Sequence, residues 1–351
     1  MFLCLSSGAS PRYREDVLRA LAQPWGSILQ FRYLRRYLAP GILEKAKAAD
    51  KKKPQALIAY IDLSDTNRVP EIIPCRFALI SEITIVGTAV TLQLELQEFA
   101  VAADLSKFND ELKEKSVGTL PLWQADGDKK RAKGDYWLEV PAEPASTVRS
   151  VKLEDWEMIV TQLAARDDFK EEGSFYTVVG INEIPSRSAV LANNGRYEFK
   201  PGHEYELSLY HFYPKEVPLR AGVTLTTTSQ WLAFITNPVL QLDSRYDLKH
   251  GRFKAGKPTN KADAWISVMR NAGKDQLPYV DFDLLCLVRG VFWRTLGYGI
   301  ILGLFLAGPQ IIAALSNPSL PASNVVLVCA ASGILGLAAG ILAAFGLKKS
   351  L

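Results

Sequence analysis

Histidine, methionine and cysteine are scarce: three, three and four in 351 residues. That scarcity narrows metal and nucleophile chemistry at once. Cys4, Cys75, Cys286 and Cys329 stand far apart, with no CxxC or Cys/His spacing of a zinc site. They read as reduced, mostly buried thiols facing a cytosolic environment. Also missing are GxxxxGK[ST], a GxGxxG after a strand, GxSxG and HExxH. Their absence leaves no sequence signal for a P-loop, a dinucleotide fold, an esterase elbow or a zinc protease. No regular helix–strand alternation runs through the chain, which disfavours a parallel α/β fold. The opening "MFLCLSSGAS" lacks a basic leader and is short for a signal peptide.

An excess of one charge is lacking too. Lys and Arg total 41 against 37 Asp and Glu, a net +4 that does not by itself argue for nucleic acid. The distribution says more, because between residues 291 and 347 the only charge is Arg294. Two apolar stretches lie there, 296–315 and 325–347, joined by "SNPSLPASN". Each is long enough to cross about 30 Å of hydrocarbon at ~1.5 Å per helical residue. Arg289 and Arg294 precede the first, while Lys348 and Lys349 follow the second. The positive-inside rule then puts both chain ends in the cytoplasm and loop 316–324 outside an inner or plasma membrane. Trp293, Arg294, Lys348 and Lys349 would mark the membrane interface. The unbroken run from Asp281 to Gly290 suggests that the first helix begins below the membrane.

Small residues recur every four positions in both stretches: Gly299, Gly303 and Ala307, then Ser332, Gly336, Gly340 and Ala344. Such faces let helices approach closely. Packing the two helices of one hairpin is the simpler use, and assembly between molecules the alternative. A water-filled pore calls for more polar residues than Gln310 and Ser332.

The rest of the chain reads as mainly β. "SPRYREDVLRALAQ" offers Ser10 as N-cap and Pro11 at the first helical position. "LEDWEMIVTQLAARDDF" and "LSKFNDELKEK" are further amphipathic helices. Strands are expected at "GSILQFRYL", "QALIAYIDL", "PCRFALI", "EITIVGTAVTLQLELQEF", "YWLEV" and in a series from "SFYTVVGINEI" to "PVLQLDSRY". Leu92, Leu94 and Leu96 alternate with Gln93, Glu95 and Gln97, the mark of an antiparallel sheet with one wet face. The fold class is therefore mainly β (α+β), with antiparallel sheets including a β-sandwich, followed by a C-terminal two-helix transmembrane hairpin. The expected division is a β-rich cytosolic domain over 1–150, a sandwich-like domain over 151–253, a juxtamembrane linker and helix over 254–290, and the hairpin over 291–351.

Candidate chemistry is sparse. His203 and His211 share strand parity, and a satisfied sheet histidine is the simpler reading; His250 falls in a basic stretch. Asp281 and Asp283 could hold a cation or pair with Arg289. No catalytic, cofactor-binding or metal-ligating residue is assigned, and no cofactor is expected. Basic clusters supply candidate contacts to an anionic ligand or lipid: Arg32, Arg35 and Arg36; Lys51, Lys52 and Lys53; Lys129, Lys130 and Arg131; Arg252 and Lys254. Interspersed acids favour solvated loops or lipid contact over nucleic acid or a nucleotide ligand.

The expected function is a membrane-anchored protein whose cytosolic β-rich domains sense or bind a partner and signal through the hairpin. Partners would be the bilayer, a second copy of the chain or a cytosolic protein. The alternatives are an oligomerising membrane effector, pore-forming or membrane-disrupting, and a membrane-tethered enzyme with an unrecognised site.

Overall fold

The computed structural model describes residues 1–8, 10–48, 53–63, 70–116, 136–140, 142–170, 174–184, 186–214, 221–271, 279–316 and 321–346. The chain divides into two compact units. One comprises Met1–Phe199, His203–Ala255 and Asp263–Leu287; the other comprises Lys200–Gly202, Gly256–Ala262 and Val288–Leu351.

The first unit begins with β1 (Phe2–Ser7), α1 (Pro11–Ala22), β2 (Ile28–Leu34), α2 (Ile42–Ala48), β3 (Gln55–Asp62), β4 (Glu71–Val86) and β5 (Ala89–Ala102). It continues through α3 (Leu105–Ser116), β6 (Trp137–Glu139), α4 (Ala142–Ser146), β7 (Val148–Val151) and α5 (Leu153–Ala164). Seven strands make one sheet in the order β2-β5-β4-β3-β1-β6, with β7 beside β5. Its pairs are antiparallel except β1 with β3, which run parallel from Phe2 opposite Ala56 to Ser7 opposite Ile61. All six β1 residues are buried. Alternate side chains point to opposite faces, so Leu3 and Leu5 join Leu57, Phe108 and Leu112, while Phe2 and Cys4 join Phe31, Tyr33 and Trp137. The N-terminal segment is thus a buried strand between β3 and β6. Ser10 and Pro11 start α1 as the sequence suggests. The two runs "PCRFALI" and "EITIV" join into the single long β4.

The same unit continues with β8 (Phe175–Ile184), β9 (Ala192–Asn193), β10 (Arg196–Phe199), β11 (Glu204–Phe212), β12 (Ala221–Thr226), β13 (Leu232–Phe234), β14 (Val239–Leu242), β15 (Tyr246–Ala255), β16 (Ala262–Asn271) and β17 (Tyr279–Val288). They form two antiparallel sheets, β14-β12-β16-β17-β10-β9 and β13-β15-β11-β8. Phe199 of the first touches Tyr205 and Phe253 of the second, with ring centroids 4.5 and 5.2 Å apart. Tyr176 stacks on Phe282 in the same way.

The stretch 254–290, expected as a linker and helix, carries the end of β15 and the strands β16 and β17. Phe282, Leu284, Cys286 and Val288 are buried while Asp283 and Leu285 are exposed, a period of two that outweighs the lack of a helix breaker. No helix therefore runs from Asp281 toward the hairpin.

The second unit holds α6 (Phe292–Leu315) and α7 (Ala322–Gly346), with Pro309 inside α6. The base of α6 is tied down within this unit. Val291 N donates to Pro258 O at 2.9 Å, and Gly290 lies so close to Thr259 and Asn260 that an added Cβ would meet their backbone at 2.6 Å. Among the described residues no helix is long and apolar enough to cross a membrane. The continuously described side chains of α7 end at Ala339. The membrane spans expected at 296–315 and 325–347 are therefore not found among the described helices.

Candidate functional site

The small residues gather between α6 and α7. Gly303 faces the backbone of Gly336 and Leu337, and Gly336 faces Gly303 and Ala307. Ala307 and Ser332 are buried, as is Gly299. Three of the seven small residues, Gly303, Ala307 and Gly336, therefore meet across the two helices of the hairpin. Gly340 and Ala344 belong to α7, but their side chains lie outside the described residues. The large side chains point away from this seam. Phe305 is 80% exposed and Leu335 70%, and Ile301, Leu304, Ile312, Leu315, Val326, Leu327 and Ile334 are likewise exposed. Trp293 and Arg294 fall in the first turn of α6 with side chains outside the described set, and Lys348 and Lys349 are outside it altogether.

The basic residues separate into paired and unpaired groups. Arg252 and Lys254, expected in a loop, lie on β15 and pair across to Glu206 (2.9 Å) and Glu204 (3.3 Å) of β11. Their register sets these pairs, since Glu206 stands opposite Arg252 and Glu204 opposite Lys254. Lys53 pairs with Glu95 at 2.5 Å. Arg32, Arg35 and Arg36 are exposed near the end of β2, and Arg36 sits over the Tyr37 ring at 4.8 Å. Lys51, Lys52, Lys129, Lys130 and Arg131 lie outside the described residues.

The histidines are absorbed by the sheets. His211 is buried and donates Nε2–H to Ser244 O at 2.8 Å. His203 Nδ1 lies 2.5 Å from Glu183 Oε1, and His250 Nδ1 lies 3.0 Å from Ser208 Oγ. Asp281 is engaged by Arg270 and Arg19. It receives Arg270 at 3.1 Å and the Tyr176 hydroxyl, while its carbonyl accepts Arg19 Nε–H at 2.7 Å. Asp283 accepts Ser267 Oγ–H at 2.5 Å. Among the described residues no group of His, Cys, Asp and Glu is placed to hold a metal ion. Cys4, Cys75 and Cys286 are buried and free, and burial pushes the thiols of Cys4 and Cys75 up to about 12. They are poor nucleophiles at neutral pH.

Two open cavities were not legible in the sequence. One, of about 520 Å³, lies at the β1–α1 turn between Gly8, Ser10, Arg14, Asp167, Asp168 and Lys170. Its charges are matched internally: Lys170 pairs with Asp167, the Tyr60 hydroxyl donates to Asp168, and Arg14 reaches Asp168 O at 3.2 Å. The other, of about 370 Å³, is lined by Arg35, Leu38, Ile42, Leu43, Glu44, Lys47 and Ile85.

What the geometry defines is a β-rich body and a helical hairpin whose apolar side chains face outward. No family model matches the chain, and no curated protein matches it. Among solved structures, the periplasmic chaperone SfaE is similar at a TM-score of 0.21 and 12% identity, over 27% of this chain and 55% of the chaperone. The chain therefore spans little more than half of that protein. A FixG-related protein from Vibrio parahaemolyticus gives 0.22 and 8%, over 34% and 97%. WR4, a C. elegans MSP family member, gives 0.18 and 8%, over 31% and 96%. Likenesses this slight carry no argument about fold or function.

Proposed function

We infer that the chain is a membrane-anchored binding protein: a cytosolic β-rich head, its last ten strands arranged as a β-sandwich, on a transmembrane helical hairpin. The outward-facing apolar belt of α6 and α7 carries this reading. Each Val, Leu, Ile or Phe left in water forgoes roughly 1.5–3 kcal/mol of burial. Nine such residues together rival the ~5–15 kcal/mol that holds a whole domain folded. Hydrocarbon removes that penalty, and the uncharged sequence through residue 347 supplies the length. Cross-sheet contacts of Phe199, Tyr205 and Phe253 support the sandwich.

An oligomeric effector is the second reading. It loses support from the seam, because Gly303 and Gly336 already face each other within one chain. Alkaline carbonate extraction of membranes from expressing cells tests the anchor. The full chain is expected to stay with the membrane pellet, and a Phe305→Glu/Leu335→Glu variant to be released. Wild-type protein in the soluble fraction would overturn the reading.

A further inference from the structure

We propose that the end of the first sheet formed by the β4–β5 turn, the segment after β2 and helix α2 is a docking surface for an anionic phospholipid bilayer. Val86 stands at the tip of that turn and, at 72%, is the most exposed large apolar residue described in the first unit. Gly87 makes the tip possible with φ +60 and open space on its outer side. Arg35 N donates to Thr88 O at 2.9 Å, so the turn and the basic segment are fastened together. Behind the tip, the 370 Å³ cavity offers an apolar lining of Leu38, Ile42, Leu43 and Ile85, with Arg35 and Lys47 beside it and Glu44 as its one acid.

Charge decides the occupant. Lys45, Lys53, Arg252 and Lys254 all pair with glutamates, whereas Arg32, Arg35 and Lys47 have no acidic partner among the described residues. Unpaired cations around an exposed aliphatic tip match a leaflet, which presents phosphates above hydrocarbon. Nucleic acid is the poorer match, because stacking needs free aromatic faces. Tyr33 is buried, and Tyr37 is packed against Tyr136 and covered by Arg36. The proposal rests on the membrane reading only in that an anchored head always has a bilayer within reach.

The test uses the full chain with Val86→Cys carrying an environment-sensitive fluorophore, in a Cys329→Ala background, reconstituted in lipid nanodiscs. In phosphatidylglycerol-containing discs the emission shifts to the blue; in pure phosphatidylcholine discs it does not. The shift disappears in Arg35→Glu/Lys47→Glu, two exposed positions whose change leaves the circular dichroism unaltered, and persists in Arg35→Lys. Equal emission in both discs, or the same shift produced by a single-stranded oligonucleotide without lipid, overturns the proposal. Failure of the anchor reads differently: the chain does not enter discs at all, and flotation of the labelled protein with phosphatidylglycerol vesicles then decides the docking surface alone.

Discussion

Gly303 and Gly336 face each other across the hairpin so closely that a Cβ on either would lie 2.7 or 2.6 Å from the other's carbonyl oxygen. Neither helix can yield a few tenths of an ångström there, because what stands in the way is backbone. Gly303 and Gly336 are thus spent within one molecule. That changes what their substitution tests.

Gly303→Leu or Gly336→Leu forces α6 and α7 apart and is expected to lower the hairpin's thermal stability without altering stoichiometry. Far-UV circular dichroism and light scattering in detergent measure the two quantities. A drop from a defined oligomer to a monomer, with the melt unchanged, would place the seam between molecules instead.

Arg76 is 2% exposed and forms no ion pair among the described residues, although the Glu98 charge favours its charged form; its charge is well used. It donates to Gln97 O at 2.7 Å, to Ala20 O at 2.8 Å and to Gln23 O, and lies over the Phe99 ring at 4.5 Å. Two of those carbonyls belong to the C-terminal end of α1, where a cation offsets the helix dipole. Burial pulls its pKa down to about 9, which leaves it charged at neutral pH. Arg76→Met leaves three carbonyls without this donor and is expected to cost about 3 kcal/mol in urea unfolding. Arg76→Lys should recover little of it, since an ammonium cannot reproduce the planar fork.

The long elements of the fold were legible because their periodicities are strong. Alternation in "VTLQLELQEF" reads as strand, and Trp156, Ile159, Val160 and Leu163 read as one helix face, as found. The sheet partners were not legible: the parallel β1–β3 pair joins residues more than fifty positions apart, and no local pattern announces it. "YVDFDLLCLV" failed for another reason, since an apolar run without breakers suits helix and strand alike until its neighbours are known. The hairpin seam could be read from spacing, with packing of the two helices within one chain as its simpler use. The docking edge was half legible. Arg32, Arg35 and Arg36 stood out, whereas Val86 and Leu43 join them only through folding.

Arg270 and Asp281 form an ion pair at 3.1 Å, with side chains 12% and 2% exposed. The Tyr176 hydroxyl completes the shell around the carboxylate, and Arg270 lies over the tyrosine ring at 5.3 Å. Removing one partner of such a pair strands the other charge in a dry site. Arg270→Met is expected to destabilise the first unit by roughly 3–5 kcal/mol. The double variant Arg270→Met/Asp281→Leu should lose clearly less than the two single changes summed. A double-mutant cycle by chemical denaturation gives the coupling, and strict additivity would show that the pair does not act as a unit.

Asp16 makes the stability of the first unit depend on pH in the direction opposite to most carboxylates. The residue is 5% exposed on α1, and burial raises its pKa to about 6, against the opposing pull of Arg19 and Arg12. A raised carboxyl pKa means that the folded state holds the proton more tightly than the unfolded chain. The stabilisation is complete below the unfolded value of about 3.9 and is lost as pH rises through about 6. Asp16→Asn keeps the shape and removes the titration. It should therefore be more stable than wild type at pH 7, by on the order of 2 kcal/mol, while the two converge near pH 4. Arg19 keeps Glu15 at 3.3 Å and the Asp281 carbonyl at 2.7 Å, so its position survives the change. Urea denaturation at pH 4, 5.5 and 7 reads the effect; an Asn variant less stable at pH 7 would mean that the Asp16–Arg19 pair outweighs burial.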